Sequence, residues 1–138
     1  MRLLPRFSLV EWFVILAICG WFSTFAYEEL LARRGARDGH LDADADIALN
    51  SLKLKYAGKP PYFRDQMVAI YRDRYEISLE YIGDCCPSSY RNSYNRAYNE
   101  RMMMVIKDRY PDFDSDETYE SNIDLAEKRH RAEWDARY

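Results

Sequence analysis

The sequence predicts an all-α fold, with one N-terminal transmembrane helix followed by a small extramembrane helical region that includes an antiparallel helix hairpin. Three observations predict it. Residues 9–27 form an almost unbroken apolar run. Apolar residues in the remainder recur at steps of three and four, the helical spacing. Gly and Pro cluster where those stripes stop. A chain of 138 residues has room for one domain, and its mean hydropathy of -0.55 averages an apolar start with a polar body.

The first element, with its short extension, occupies residues 1–35. Leu9 to Tyr27 spans roughly 28 Å at 1.5 Å per residue, close to the hydrocarbon thickness of a bilayer, and carries only one charge, Glu11. Trp12, Phe13, Ile15, Leu16, Ile18, Trp21, Phe22 and Phe25 are the membrane-anchor residues, and Tyr27 stands where an interfacial aromatic belt would be. Thr24 and Ala26 make a weak cleavage site, Ile18 is too bulky before a lipoprotein Cys19, and Met1–Ser8 is too short for a presequence. The reading is therefore a retained anchor. Arg2 and Arg6 nearly balance Arg33, Arg34 and Arg37 across the span, and lying closer they place the N-terminus inside. The helix is expected to run from about Phe7 to Arg34 and to end at Gly35 and Gly39.

Residues 36–61 are expected to hold a hinge, Gly35–Leu41, and a short amphipathic helix. Asp42 or Asp44 would cap its start, and Gly58, Pro60 and Pro61 stop it after Tyr56. Residues 62–110 are expected to form the helix hairpin. Phe63, Met67, Ile70, Arg74, Ile77 and Tyr81 make one stripe over Tyr62–Ile82, with Gly83 as cap. Ser88 or Ser89 opens the second arm, which runs to about Arg109 with Tyr90, Tyr94, Tyr98 and Met102 on one face. Residues 111–138 read as a C-terminal helix opened by Asp114 or Ser115, with Glu117 completing a capping box and Tyr119, Ile123, Ala126, His130 and Trp134 on its face. No alternating strand pattern of useful length is expected.

The body has an interface-like composition. Leu, Ile, Val and Phe together make less than a fifth of the residues after Tyr27, under the roughly 20% at which a self-sufficient core becomes doubtful. All 12 Tyr lie at or beyond position 27, and Arg outnumbers Lys fifteen to five. Tyr, Met and Arg enriched with Lys scarce is a signature of contact surfaces between proteins. Glu11, Tyr90, Tyr94, Tyr98, Met102 and Trp134 are accordingly read as partner-contact residues. A net charge of -3 with acids and bases interleaved, as in Arg72-Asp73-Arg74, excludes a nucleic-acid partner.

Chemistry-bearing residues are sparse. Cys85 and Cys86 are adjacent, which suits candidate redox or intersubunit thiols but not zinc ligands. Neither His40 nor His130 has a second ligand or nucleophile at a helical step. Asp42, Asp44 and Asp46 alternate as in a calcium loop, but Ile47 stands where the turn Gly belongs and Lys53 where the final acid belongs, so they read as an N-cap cluster. No phosphate loop, nucleophile elbow or carboxylate pair assembles. The sequence thus predicts no enzyme, no cofactor, no metal and no small-molecule substrate.

Phe7-Ser8-Leu9-Val10-Glu11, followed by Ala17-Ile18 and Gly20, resembles the N-terminal helix of type IV pilins and pseudopilins. The resemblance covers a tenth of the chain. It implies processing before Phe7, a Glu11 paired with a neighbour's amine, and a sheet laid on a long helix. The chain departs from it at Arg6, where the leader peptidase wants Gly. From the residues themselves, the expected function is that of a non-catalytic accessory (supernumerary) subunit acting in assembly and stability. Its expected setting is a large inner-membrane complex, a mitochondrial respiratory complex or ATP synthase first and a bacterial inner membrane second. Other subunits of that complex and the lipid bilayer are its expected partners, and a pilin-like filament or secretion component is the alternative.

Overall fold

The computed structural model describes residues 8–58, 60–83 and 87–137. The described chain is mostly helical, with one long apolar N-terminal helix, four helices and two short strands in all. The first helix, α1, runs without a break over Leu9–Ala48, about 60 Å at 1.5 Å per residue. Ser8 opens it with a capping box, its hydroxyl accepting from the Glu11 N–H at 3.3 Å while the Glu11 carboxylate accepts from the Ser8 N–H at 2.6 Å.

The expected helix end at Gly35 and hinge over Gly35–Leu41 are corrected: both glycines are helical and buried. A glycine costs a helix interior only about 1 kcal/mol, no proline interrupts positions 9–48, and both glycines are needed for close packing, as shown below. Asp42, Asp44 and Asp46 therefore cap nothing, because they lie within the last turns of α1.

The expected helix over Asp42–Tyr56 is corrected as well. After Asn50, which adopts a left-handed φ of 54°, the chain forms strand β1, Leu52–Ala57. Leu52 and Leu54 are buried while Lys53 and Lys55 turn to the opposite face, the two-residue period of a strand. The continuous helix expected over Tyr62–Ile82 is broken in two: α2 covers Arg64–Tyr75 and β2 covers Ile77–Ile82. Glu76 ends α2 in the left-handed conformation at φ 55°, a position glycine usually fills. The strands pair in parallel from Leu52–Ile77 to Ala57–Ile82, so these residues form a β-α-β unit in place of one arm of a helix hairpin.

Helix α3 spans Ser89–Arg109 with Ser88 as its N-cap, and α4 spans Ser115–Asp135 with the Asp114 side chain accepting from the Glu117 N–H at 3.1 Å. Contacts fix the directions. Tyr90, Tyr94 and Tyr98 meet Asp38, Asp42 and Asp46 in turn, so α3 runs parallel to α1. Lys53 meets Asp46 and Lys55 meets Tyr94, so β1 runs back against α1. Arg74 meets Asn122 and Gln66 meets Glu133, so α4 runs against α2.

One core joins these elements. Leu52, Leu54, Met67, Ile70, Tyr71, Ile77, Leu79, Tyr98, Met102, Ile106, Phe113 and Ala126 are buried in a single cluster with Ala43 and Phe63. The shortage of aliphatic residues is made good by aromatics and Met. Tyr71 and Tyr98 are the largest fully buried side chains, and Phe113 meets Tyr71 and Tyr75 edge-on with centroids 6.3 and 5.2 Å apart.

Candidate membrane anchor and the clamp that holds it

Helix α1 has two halves with opposite surroundings. Over Leu9–Tyr27 no other described element packs on it: Leu9 is 80%, Phe13 73% and Trp21 75% exposed. Trp12, Leu16, Ile18, Phe22 and Phe25 are exposed with them, and Ile15 is half-buried. Such an area of bare apolar surface is costly in water and favourable in lipid. Among the described residues α1 is the one helix long and apolar enough to cross a membrane. The Glu11 carboxylate is occupied by the Ser8 N–H, and Ser23 and Thr24 donate their hydroxyls to the Cys19 and Trp21 carbonyls, which leaves these polar groups satisfied within the helix.

Beyond Glu28 the same helix enters the body and is gripped by α3. Gly35, Gly39 and Ala43 stand four residues apart, all buried. A Cβ on Gly35 would overlap the Tyr90 carbonyl oxygen, and one on Gly39 would overlap the Tyr94 carbonyl oxygen and lie 3.1 Å from the Tyr98 nitrogen. Backbone therefore packs on backbone, as small residues at four-residue spacing allow.

Beside this seam runs a ladder. The hydroxyls of Tyr90, Tyr94 and Tyr98 donate to the carboxylates of Asp38, Asp42 and Asp46 at 3.0, 2.6 and 2.6 Å. The three rings stack at 6.3 and 6.2 Å. Lys55, reaching from β1, lies 4.8 and 4.2 Å from the Tyr94 and Tyr98 ring centroids and donates to the Tyr94 hydroxyl at 3.1 Å. Arg101 and Asp44 extend the contact at 2.6 Å.

The electrostatics agree with the geometry. Burial works to raise the Asp46 carboxyl, but hydrogen bonds from Lys53 and Tyr98 outweigh it and hold the group below the ordinary carboxylate range. Burial, then the bond to the carboxylate, pushes the Tyr94 and Tyr98 hydroxyls far above their usual value.

Apart from Glu11, which lies exposed in the first turn of α1 and accepts from the Ser8 N–H, the predicted partner-contact residues fall into two sets. Tyr98 and Met102 are fully buried within their own chain, and Tyr90 and Tyr94 are bound to α1, so the ladder's partner is α1 itself. Trp134, by contrast, is 58% exposed. It borders a groove of about 360 Å³ between α2 and α4, with Tyr62, Gln66, Arg129, His130 and Glu133 among the other walls. There His130 meets the Tyr62 ring at 5.2 Å, and Tyr62 donates to Glu127 at 2.6 Å. Cys85 and Cys86 lie outside the described residues. Among the described residues no group of three or more His, Cys, Asp and Glu side chains is arranged to hold a metal ion.

Gly35, Gly39, Asp38, Asp42, Asp46 and Lys55 carry the clamp and were not anticipated as contact residues. A signal was present, since glycines four apart and acids at 38, 42 and 46 match tyrosines at 90, 94 and 98 in spacing. No family model, no curated protein and no solved structure matches this chain.

Proposed function

We propose that this chain is a non-catalytic, single-pass accessory subunit that holds a folded body at a fixed height and angle beside the bilayer, for larger membrane partners to dock on. The observation that carries the reading is the continuity of α1. One helix presents bare apolar surface over its first half and is locked to α3 by a glycine seam and a three-rung ladder over its second. A flexible tether would serve a mobile catalytic head, whereas a helix clamped over its second half serves placement. The body has a core of its own despite its few aliphatic residues, so it is a folded unit that the anchor can hold in place.

The setting we propose is a mitochondrial respiratory complex or ATP synthase, with a bacterial inner membrane as the second choice. The single anchor and the Tyr-, Arg- and Met-rich composition support it. Extraction of the native protein in mild detergent tests the reading. The chain is expected to migrate with a much larger assembly, and a small monomer would overturn the assignment.

A filament or secretion component of the pilin type is the second reading. The layout of α1 favours it, because the apolar half projects while the other half carries the body and a small sheet. Mass spectrometry showing a mature N-terminus at Phe7 would select this reading over the first.

A further inference from the structure

The directions of the elements determine which side chains face the bilayer. Since β1 runs back along α1 toward its apolar half, the turn after β1 lies at the membrane side of the body. The crossover helix α2 starts there and runs away, and α4, antiparallel to α2, returns. The last turns of α4 therefore end at the membrane side, next to Tyr62.

That end has its own character. Lys128, Arg129, Arg131 and Arg137 are exposed, and none makes an ion pair among the described residues. Over 128–137 these four cations stand with two carboxylates, Glu133 and Asp135, in a chain whose net charge is -3. Glu127 just before them accepts from the Tyr62 hydroxyl, and Asp65 lines the same groove from α2. Trp134 and Tyr62, 58% and 67% exposed, stand among them. Cations with half-exposed Trp and Tyr are the side chains that settle at a lipid headgroup layer. The opposite end, around the α3–α4 turn, is mixed, with exposed Asp108, Asp112 and Asp114 beside Lys107 and Arg109, and among the described residues it has no exposed Trp or Tyr.

We infer that the C-terminal end of α4 is a second membrane contact, in which Arg129, Arg131, Arg137 and Trp134 bind the anionic phospholipid headgroups of the bilayer that α1 crosses. The inference rests on α1 being a membrane span. The first rung of the ladder, at Asp38, lies about 16 Å along α1 from Tyr27, a gap that headgroup depth and helix tilt have to span together. Headgroups extend roughly 5–7 Å outside the hydrocarbon, and the usual helix tilt of about 20° lowers one side of the body further.

The full chain in lipid nanodiscs provides the test, with amide hydrogen exchange read over residues 128–137. In discs of phosphatidylcholine mixed with phosphatidylglycerol, exchange is expected to be slower than in pure phosphatidylcholine by at least about fivefold, the factor that each cation at an anionic surface supplies. High salt and the triple variant R129Q/R131Q/R137Q should each remove the difference, the variant's melting temperature staying unchanged because all three side chains are exposed. Equal exchange in both lipids would overturn the inference while leaving the anchor intact. Protection by inorganic phosphate in pure phosphatidylcholine discs would overturn it in favour of a plain anion site. Protection appearing only in the native complex would overturn it in favour of a protein partner. Failure of the chain to enter discs at all would remove the anchor reading, and this inference with it.

Discussion

Two tyrosines in this chain make hydrogen bonds of the same length and differ in what those bonds are worth. Tyr98 and Tyr62 each donate to a carboxylate at 2.6 Å, to Asp46 and Glu127 respectively. Tyr98 is fully buried and Tyr62 is 67% exposed. Water replaces the lost partner at the exposed site and cannot do so at the buried one. Tyr98→Phe is therefore expected to destabilise the full chain by about 1.5–3 kcal/mol, as loss of a hydrogen bond to a charged group does. Tyr62→Phe should stay within about 0.5 kcal/mol of the parent. Denaturant unfolding of both variants in the same detergent checks the contrast, and equal losses would show that burial does not set the strength of these bonds.

At the scale of elements, the glycines of α1 divide by what lies opposite them. Gly35 and Gly39 face the α3 backbone, whereas Gly20 has open space around it. Adding a methyl group to either of the first two forces α1 and α3 apart. Gly39→Ala should cost roughly 1–3 kcal/mol through overpacking, more than the gain of about 1 kcal/mol from better helix propensity. Gly20→Ala should leave the melting temperature of the body unchanged. Circular dichroism melts would decide this, and a stabilising Gly39→Ala would remove the seam as the clamp's basis. The same elements show why some boundaries were hidden in the sequence. Ile77 and Tyr81 are four apart, a step that fits both a helix and alternate positions of a strand, so the α2 stripe seemed to continue through β2. Glu76 gave no warning of the break, since Gly or Asn is the usual marker of a left-handed helix end. Lys53 and Lys55 lie inside the stretch read as a helix up to Tyr56, yet in β1 one binds Asp46 and the other sits over two tyrosine rings.

For the whole molecule, pH bounds the stability from both sides. The Asp46 carboxyl is held low in the folded chain, so its contribution is present above the unfolded value of about 3.9 and is lost as pH falls below it. The Tyr94 and Tyr98 hydroxyls are held high, so their contribution is present below the unfolded value of about 10 and is lost as pH rises above it. The melting temperature should be level between these limits and fall outside both, and the alkaline fall should shrink in Tyr98→Phe. An unchanged alkaline limb would mean that the ladder does not carry the coupling. At this scale the apolar first half of α1 and the α3 and α4 starts at Ser88 and Asp114 were legible, because each rests on local composition or a cap, whereas the Ser8 cap of α1 was not anticipated. The β-α-β unit and the inward-facing tyrosines were not, because they depend on which surface a stripe meets. Composition reports that Tyr is abundant but not whether it faces a neighbour or its own chain.

The unbroken course of α1 makes the protein a lever. If the apolar half lies in lipid as proposed, any tilt of it is delivered undiminished to the rest, since no joint intervenes within α1 to absorb it. Over the roughly 31 Å of helix from Glu28 to Ala48, a change of about 10° displaces the far end by about 5 Å. A thinner or thicker bilayer alters tilt by hydrophobic mismatch, so lipid composition alone would re-aim every surface the body carries.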